Sequence, residues 1–403
     1  MSPVVPGAKG ALSGLRILDL SRILAGPSCA QLLGDLGAEV VKVERPQQGD
    51  DTRRWGPPFD AHGNATYFLA ANRNKRSIEV DLASDAGAAV IRELAAHADV
   101  LIENYKTGDL TRRGLGPSEL LRLYPKLVYA SISGFGSDGP RASEPGYDFL
   151  AQAMGGLMSV TGPRETPMKA GVGVADLFTG MHAAVGILAA LRHRDQCGEG
   201  QHIEVALLDA QLAMLSNVAT DAFLSGKNPQ RLGNGHPHIV PYQVFDCADG
   251  HLVVAVGNDA QWLRYRALLD EASPSSRDLH DEEFAKNAGR VAHRELLIPR
   301  IEARMKTRAK DAWMTLLRAH EIPVAPVQDV LEAFSDPQAV HRRMRIQVGE
   351  AELVACPIHA SRTPPTYRLP PPALGEHTRE VLIQWLAWDD AAIDSARTAG
   401  AFG

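Results

Sequence analysis

Cysteine is scarce in this chain: Cys29, Cys197, Cys247 and Cys356 are the only four in 403 residues, and no two form a CxxC pair. That excludes a scaffold built on disulfides and a cysteine-rich zinc site, and leaves reduced thiols as the expected state. Positive charge is not in excess either: 42 Lys and Arg face 48 Asp and Glu, a net charge of −6 with His neutral. Without a basic surplus, neither nucleic acid nor an anionic membrane surface is an expected partner. No stretch approaches the ~18 apolar residues that a membrane-spanning helix needs. The opening MSPVVPGAKGA carries neither a secretory apolar core nor a transit-peptide pattern, so the expected location is cytoplasmic. Two nucleotide signatures are missing as well. No G-x-G-x-x-G follows the first apolar run and no P-loop pattern occurs, which disfavours a nicotinamide dinucleotide and P-loop chemistry.

What the chain does have is 45% hydrophobic residues, enough for a large core, and a length that at roughly 150 residues per domain suggests two or three folding units. LRILDL (15–20) reads as a strand, SRILAGP interrupts it, and Pro27 suits a first helical turn. SCAQLLGDL continues as a helix ended by Gly37, and EVVKVE (39–44) is a second strand. Strand, helix and strand in this space form a βαβ unit, hence a parallel pair. SIEVDL (77–82), DVLIEN (99–104) and LVYASISGFG (127–136) read as further strands, with AGAAVIRELAAH (86–97) and GPSELLRLYP (116–125) as helices between them. The alternation predicts an α/β fold with a doubly wound parallel sheet. A long helix over roughly 176–194, a strand HIEVAL (202–207) and a helix from 208 to about 224 follow.

Composition shifts over 225–250, which is rich in Gly, Pro, Asn and His and marks a boundary. The expected division is a large domain over 1–224, a small α/β domain with its linker over 225–330, and a C-terminal segment over 331–403. HLVVAVG (251–257) reads as the first strand of the small domain, and its charge run RDLHDEEFAKNAGR as solvated surface. The C-terminal segment holds an amphipathic helix.

In a doubly wound sheet, ligands sit beyond the carboxyl ends of the strands. Those ends are Ser21–Arg22, Glu44–Arg45, Asn104–Tyr105–Lys106 and Ser133–Gly134. Arg45, Lys106 and Arg112 each read alone as solvent-facing charges. Together on one edge they suit a phosphorylated ligand, because a guanidinium fork donates two hydrogen bonds at once. His236 and His238 form an HxH pair in GNGHPHIVP. No third and fourth ligands stand at metal spacing, so loop histidines and no metal are expected. Asp176 stays at a fork. An Asp before a long apolar helix is ordinarily an N-cap that accepts a backbone N–H. At the glycine-rich entry GVGVADLFTG it is equally placed to act as a nucleophile, kept ionised by the helix N-terminus and flanked by backbone donors for an oxyanion.

The segments LRILDLSRILAGPSCAQLLGDLGAEVVKVERPQQGDDTR, NRNKRSIEVDL, DVLIENYKTGDLTRRGLG, YASISGFGSDGP, PGYDFLAQAMGGLMSVTG and GVADLFTGMHAAVGILAALRHRD together resemble the class III CoA-transferase family. HIVPYQVFDCADGHLVVAVGNDAQW and PPPALGEHTREVL extend the resemblance almost to the C-terminus. It implies a Rossmann-like large domain built from both chain ends, a smaller α/β domain, and two subunits threaded through each other as an interlocked homodimer. It implies coenzyme A and acyl-CoA as substrates, a small carboxylic acid as the other partner, and no permanently bound cofactor. The family nucleophile falls on Asp176. Its carboxylate attacks the donor thioester, a mixed anhydride and then an enzyme–CoA thioester follow, and the acceptor carboxylate completes the exchange. Arg45 and Arg112 match arginines that hold the nucleotide end of CoA. Val80, Leu82, Asn104, Tyr105 and Tyr147 fall on positions lining the CoA channel, with Leu24 and Lys106 beside them.

Some positions depart from formyl-CoA transferase. Leu24 stands where that enzyme has Gln, Ala83 and Pro145 where it has Lys, and its glycine-rich loop is shortened to Gly257–Asn258–Asp259. These departures point away from formyl and oxalyl substrates. The superfamily also holds α-methylacyl-CoA racemases, whose histidine base lies in a stretch that here reads Pro145-Gly146-Tyr147-Asp148. Tyr147 is a poor base at neutral pH, so transfer is favoured over racemisation, and a non-catalytic CoA binder in which Asp176 only caps a helix is the remaining alternative. Asp148 either assists acid–base steps or orients Tyr147. SRILAGP, GDDTRRWGPPF and HIVPYQVF most resemble the branch that moves CoA from succinyl-CoA to glutarate, malate, itaconate or similar acids. A second substrate carboxylate wants a cation or several donors. Arg22 is the expected partner, with a structural ion pair as its other reading, and His238, Tyr242 and Gly257 are weaker substrate candidates.

Overall fold

The computed structural model describes residues 10–273 and 277–402, so most of the opening segment read for targeting signals lies outside the described residues. The chain divides into two compact units. The first runs to Leu157 and takes in Ala170–Leu224 and everything from Pro337 onward; the second comprises Met158–Lys169 and Ser225–Asp336.

Six strands make the sheet of the first unit: β1 (Arg16–Asp19), β2 (Glu39–Glu44), β3 (Lys75–Glu79), β4 (Val100–Glu103), β5 (Val128–Ser133) and β6 (His202–Ala206). Their spatial order is β3-β2-β1-β4-β5-β6, and every neighbouring pair is parallel. This is the Rossmann order, with the winding reversing between β1 and β4. Both faces are covered, so the strands are apolar on both sides. One face carries Leu18, Val41, Ile78, Leu101 and Tyr129. The other carries Ile17, Val40, Val100, Ile102 and Val128.

Helices Asp85–Ala96 and Pro117–Leu123 cover the first face, joined by the C-terminal helix Thr378–Leu386. Trp385 Nε1 donates to Glu39 at 2.7 Å and the Asn74 amide to the Leu369 carbonyl at 2.9 Å, which ties the chain's end to its beginning. The second face is covered by Ala25–Asp35 and by the long helix Val174–Cys197. By length and composition that helix is apolar enough to cross a membrane, with a mean hydropathy of 1.7 over 18 residues. This corrects the expectation that no such stretch exists; here Ala183, Ala184, Ile187 and Leu191 are buried in the core of the first unit.

Three further differences have local causes. β3 begins at Lys75 because that lysine, despite its charge, points inward to Asp19, 2.9 Å away. The helix expected over 208–224 is two helices, Leu207–Met214 and Ser216–Ser225, broken where Ser216 takes a φ of 46°. The stretch expected as linker contains β7 (Tyr242–Cys247), which pairs with β8 (Gly250–Ala255) and through it with β9 (Val324–Pro326) in an antiparallel sheet of the second unit. Trp262, Tyr265, Phe284 and Trp313 fill the core against it. Arg290, expected on a solvated face, is fully buried and donates to the carbonyls of Val240 (2.7 Å) and Phe284 (3.0 Å) and to Asp259 (3.0 Å). Met158–Lys169 joins this unit through Arg231, which donates to the carbonyls of Pro163 (3.0 Å) and Arg164 (2.7 Å).

Candidate active site

A cleft of about 380 Å³ opens beyond the carboxyl ends of β1 and β4, where the winding of the sheet reverses and such folds take their ligands. Arg22, Ile23 and Leu24 follow β1; Asn104, Tyr105 and Lys106 follow β4; Ser133 and Gly134 close β5. The loop 142–147 forms a wall, and Asp51, Trp55 and Asp176 complete the lining. The wall reaches the end of β5 backbone to backbone: a Cβ on Gly134 would stand 2.4 Å from the Gly146 Cα. Only glycine permits so close an approach.

Asp176 is not a cap. Gly173 is the N-cap of its helix and Asp176 the third helical residue. Capping falls to Asp148, whose Oδ1 accepts from the amides of Ala175 (2.8 Å) and Asp176 (3.3 Å) while its Oδ2 accepts from Gln152 Nε2 (2.7 Å). The Asp148 carboxylate is thus engaged with the helix entry and not with Tyr147, which lies exposed along the cleft. The Asp176 carboxylate itself meets no hydrogen-bond donor among the described residues and is only 9% exposed. Burial first, and then the charge of Asp148, push its pKa up to about 7. This corrects the expectation that the helix N-terminus keeps it fully ionised: dehydration and a like charge outweigh the dipole. In its ionised fraction its oxygens are tied up by no hydrogen bond among the described residues, which leaves them able to act as a nucleophile. Burial, and then the charges of Asp176 and Asp148, raise the pKa of Tyr67, whose ring packs edge-on against Trp55 with centroids 5.3 Å apart.

Positive charge gathers around one carboxylate. Arg22 Nη1 lies 3.2 Å from Asp51 Oδ2, and Arg45 binds the other oxygen of Asp51. Two guanidiniums sharing one carboxylate leave a net positive site. The Nε atoms of Arg22 and Arg45 are both buried without a hydrogen-bond partner among the described residues. Leaving such donors unpaired is costly. The Arg22 guanidinium also lies over the Tyr105 ring, 5.3 Å from its centroid.

Of the residues named from the sequence, Arg22, Leu24, Asn104, Tyr105, Lys106, Tyr147 and Asp176 come together in the cleft. Arg45 joins them through Asp51, and Asp148 sits at the amides behind Asp176. Val80 and Leu82 have their side chains buried in the core, leaving only backbone for a ligand. Arg112 pairs with Asp109 at the surface. His238, Tyr242 and Gly257 belong to the second unit. There the His236 ring lies 5.3 Å from Tyr242 and 6.2 Å from His238, and the Gly257 amide donates to Gln261. Asp51, Trp55 and Tyr67 were not expected. An acid inside GDDTRRW carries no local sign that Arg22 and Arg45 meet on it.

The CoA-transferase family III profile matches residues 12–378. The chain is 45% identical to the succinate–glutarate CoA-transferase of Agrobacterium fabrum, over 94% of this chain and 97% of that protein. It is 39% identical to the succinyl-CoA:glutarate CoA-transferase of Homo sapiens, over 96% of this chain and 89% of that one. A solved CaiB/BaiF family protein from Brucella suis matches with a TM-score of 0.85 at 42% identity, covering 94% of this chain and 100% of that chain. The chain therefore belongs to CoA-transferase family III and is a transferase acting on acyl-CoA thioesters.

Proposed function

We propose that this enzyme moves CoA from succinyl-CoA to glutarate or a comparable small dicarboxylic acid, itaconate and malate included, through covalent bonds to Asp176. The observation that carries the reading is the Asp176 carboxylate, which lines the cleft with no donor holding it among the described residues while Asp148 takes over the capping of its helix. A carboxylate oxygen attacks the succinyl thioester carbonyl and expels the CoA thiolate, leaving a succinyl–aspartyl anhydride. The thiolate attacks the aspartyl carbonyl and succinate leaves, giving an enzyme–CoA thioester. The acceptor carboxylate attacks that thioester and again expels thiolate, which then attacks the acceptor acyl carbonyl. Acyl-CoA forms and the aspartate is restored. Each step replaces one hard exchange by an easier one, and thioester is traded for thioester at nearly constant free energy.

Support for a dicarboxylic acid comes from Arg22, which lines the cleft and whose charge, pooled with Arg45, exceeds what Asp51 neutralises. The names of the relatives from Agrobacterium fabrum and Homo sapiens point the same way. The enzyme works as a homodimer in this reading. Leu177, Met181, Val185 and Leu188 lie exposed along one side of the long helix, spaced three and four residues apart, an apolar stripe that a second copy covers. Sedimentation at micromolar concentration reads the state directly.

Incubation with succinyl-CoA and a panel of dicarboxylic acids, followed by mass analysis, tests the chemistry. New acyl-CoA and a hydroxylamine-trapped adduct on Asp176 are expected. α-Proton exchange in deuterium oxide without acyl transfer identifies a racemase instead, and neither outcome leaves a non-catalytic CoA binder.

A further inference from the structure

Beneath Arg22 lies a set of charges that the transfer chemistry does not use. Asp19, Lys42 and Lys75 are 0% exposed and Asp50 is 1% exposed. Lys75 Nζ donates to Asp19 Oδ2 (2.9 Å), to the Pro27 carbonyl (2.9 Å) and to Asn72 Oδ1 (3.0 Å). Lys42 Nζ donates to Asp50 Oδ2 (2.9 Å) and to the Ser21 carbonyl (2.9 Å). The four charges cancel. Ion pairs this dry seldom stabilise a fold more than apolar side chains would, so what they hold is the informative part.

They hold one turn. Asp19 Oδ1 accepts from the Ser21 amide at 3.0 Å and from the Ser21 hydroxyl. Lys42 takes the Ser21 carbonyl. Asn104 brackets the next residue, its Oδ1 accepting from the Arg22 amide (2.9 Å) and its Nδ2 donating to the Arg22 carbonyl (2.7 Å). Both oxygens of Asp50 accept from the Ile23 amide at 3.3 Å. Five consecutive backbone polar groups, from the Ser21 amide to the Ile23 amide, are thus met by side chains from β1, β2 and the loops after β2 and β4. Ile23 has φ 73°, a left-handed conformation that a β-branched residue keeps only when its surroundings over-determine it. Asp50 also accepts from the Thr52 amide and hydroxyl (3.0 and 2.8 Å), opening the short turn that carries Asp51, the ion-pair partner of Arg22.

We propose that Lys42 and Asp50 are positioning residues for acceptor selection: their buried pair pins the Ser21–Ile23 turn in the strained form that sends the Arg22 guanidinium into the cleft. The proposal rests on the reading of Arg22 as the clamp for a remote substrate carboxylate. The ammonium spans from β2 to the carbonyl after β1, a reach no neutral side chain of that shape supplies with a donor. Asp50 ties both ends of the Arg22–Asp51 pair to the same carboxylate.

The test compares kcat/KM for glutarate with kcat/KM for pentanoate, which has the same chain length and no second carboxylate, at fixed succinyl-CoA. The donor cancels in the ratio, and a loss of folded protein lowers both values alike. Lys42→Met strands the Asp50 carboxylate in a dry interior. Lys42→Met/Asp50→Asn keeps the volume, leaves no lone charge and decides the matter. The glutarate preference is expected to fall at least tenfold in the double variant, mainly through the KM for glutarate. A preference within twofold of the parent, in a variant with unchanged circular dichroism, overturns the proposal. Arg22→Ala is run beside it. If that variant keeps its preference, the reading of Arg22 fails; if it loses the preference while the double variant does not, only the positioning role fails.

Discussion

The carboxylate of Asp148 accepts the amide hydrogen of Asp176, the residue proposed as the nucleophile, with its Oδ1 3.3 Å from Asp176 N. One acid thus anchors the helix entry and, by its charge, strengthens its neighbour's hold on a proton. In the proposed mechanism anchoring favours the reaction by orienting the Asp176 carboxylate, whereas the charge opposes it by keeping part of Asp176 protonated near neutrality. The two effects are separable by substitution.

The rate of enzyme–CoA formation should rise with pH toward a plateau, with a midpoint near the Asp176 pKa of about 7. Asp148→Asn keeps an acceptor oxygen and removes the charge, so the midpoint moves to lower pH while the plateau changes only a few-fold. Asp148→Ala loses both functions. Its midpoint also falls, and its plateau drops by about tenfold, on the order expected for a misplaced reacting group. Stopped-flow traces across pH 5 to 9 read both parameters, and an unmoved midpoint in the Asn variant contradicts the charge coupling.

Asp176 also weakens the fold. Its folded pKa lies above the ordinary value of 3.8, so the stability linked to this group is complete below about pH 4 and is lost as pH rises toward 7. Asp176→Asn removes that loss. Its unfolding temperature should exceed the parent's at pH 8, with a gain on the order of 1–3 kcal/mol, and the difference should shrink as pH falls toward 5. Activity should meanwhile fall by at least about a thousandfold, the usual consequence of removing a covalent nucleophile. Scanning calorimetry at the two pH values checks the first part. A gain independent of pH would assign the effect to packing.

Arg22→Ala should raise the KM for glutarate by roughly ten- to a hundredfold, the range for losing one partner of a dehydrated charge pair, and the KM for pentanoate far less. Initial rates with the two acceptors at fixed succinyl-CoA decide it. Equal losses on both return Arg22 to a purely structural pairing with Asp51.

Much of this architecture was legible because it depends on local pattern. Alternating apolar runs located the strands of the large sheet, and the rule that ligands gather at strand ends brought Arg22, Asn104, Tyr105 and Lys106 to one place. What stayed illegible depends on partners far along the chain. The residues around Asp176 left it open between a cap and a nucleophile, because nothing near it reveals that Asp148, nearly a helix-and-loop away, takes the amides. Lys42 and Lys75 sit in EVVKVE and NKRSIEV, where a lysine normally faces water; their burial follows from Asp50 and Asp19. Arg290 was hidden among surface charges for the same reason. The membership of Met158–Lys169 in the second unit is likewise set by Arg231, remote in sequence.

The backbone contact between Gly134 and Gly146 offers a last test, of the cleft wall. An added Cβ at Gly134 meets the Gly146 Cα at 2.4 Å, and one at Gly146 meets the Gly134 Cα at 2.1 Å. Neither neighbour is a side chain that can swing away, so the wall must retreat from β5. Gly146→Ala is therefore expected to destabilise the first unit by about 1–3 kcal/mol, the usual cost of overpacking. Because Tyr147 and Asp148 follow directly, the KM for succinyl-CoA should rise and the Asp176 midpoint should shift with the moved carboxylate. Gly171→Ala serves as the comparison, since an added Cβ there meets nothing within 4 Å and should leave stability within about 0.5 kcal/mol. Thermal unfolding and initial rates of the two variants, measured side by side, separate a wall held by backbone contact from a loop that tolerates any small residue.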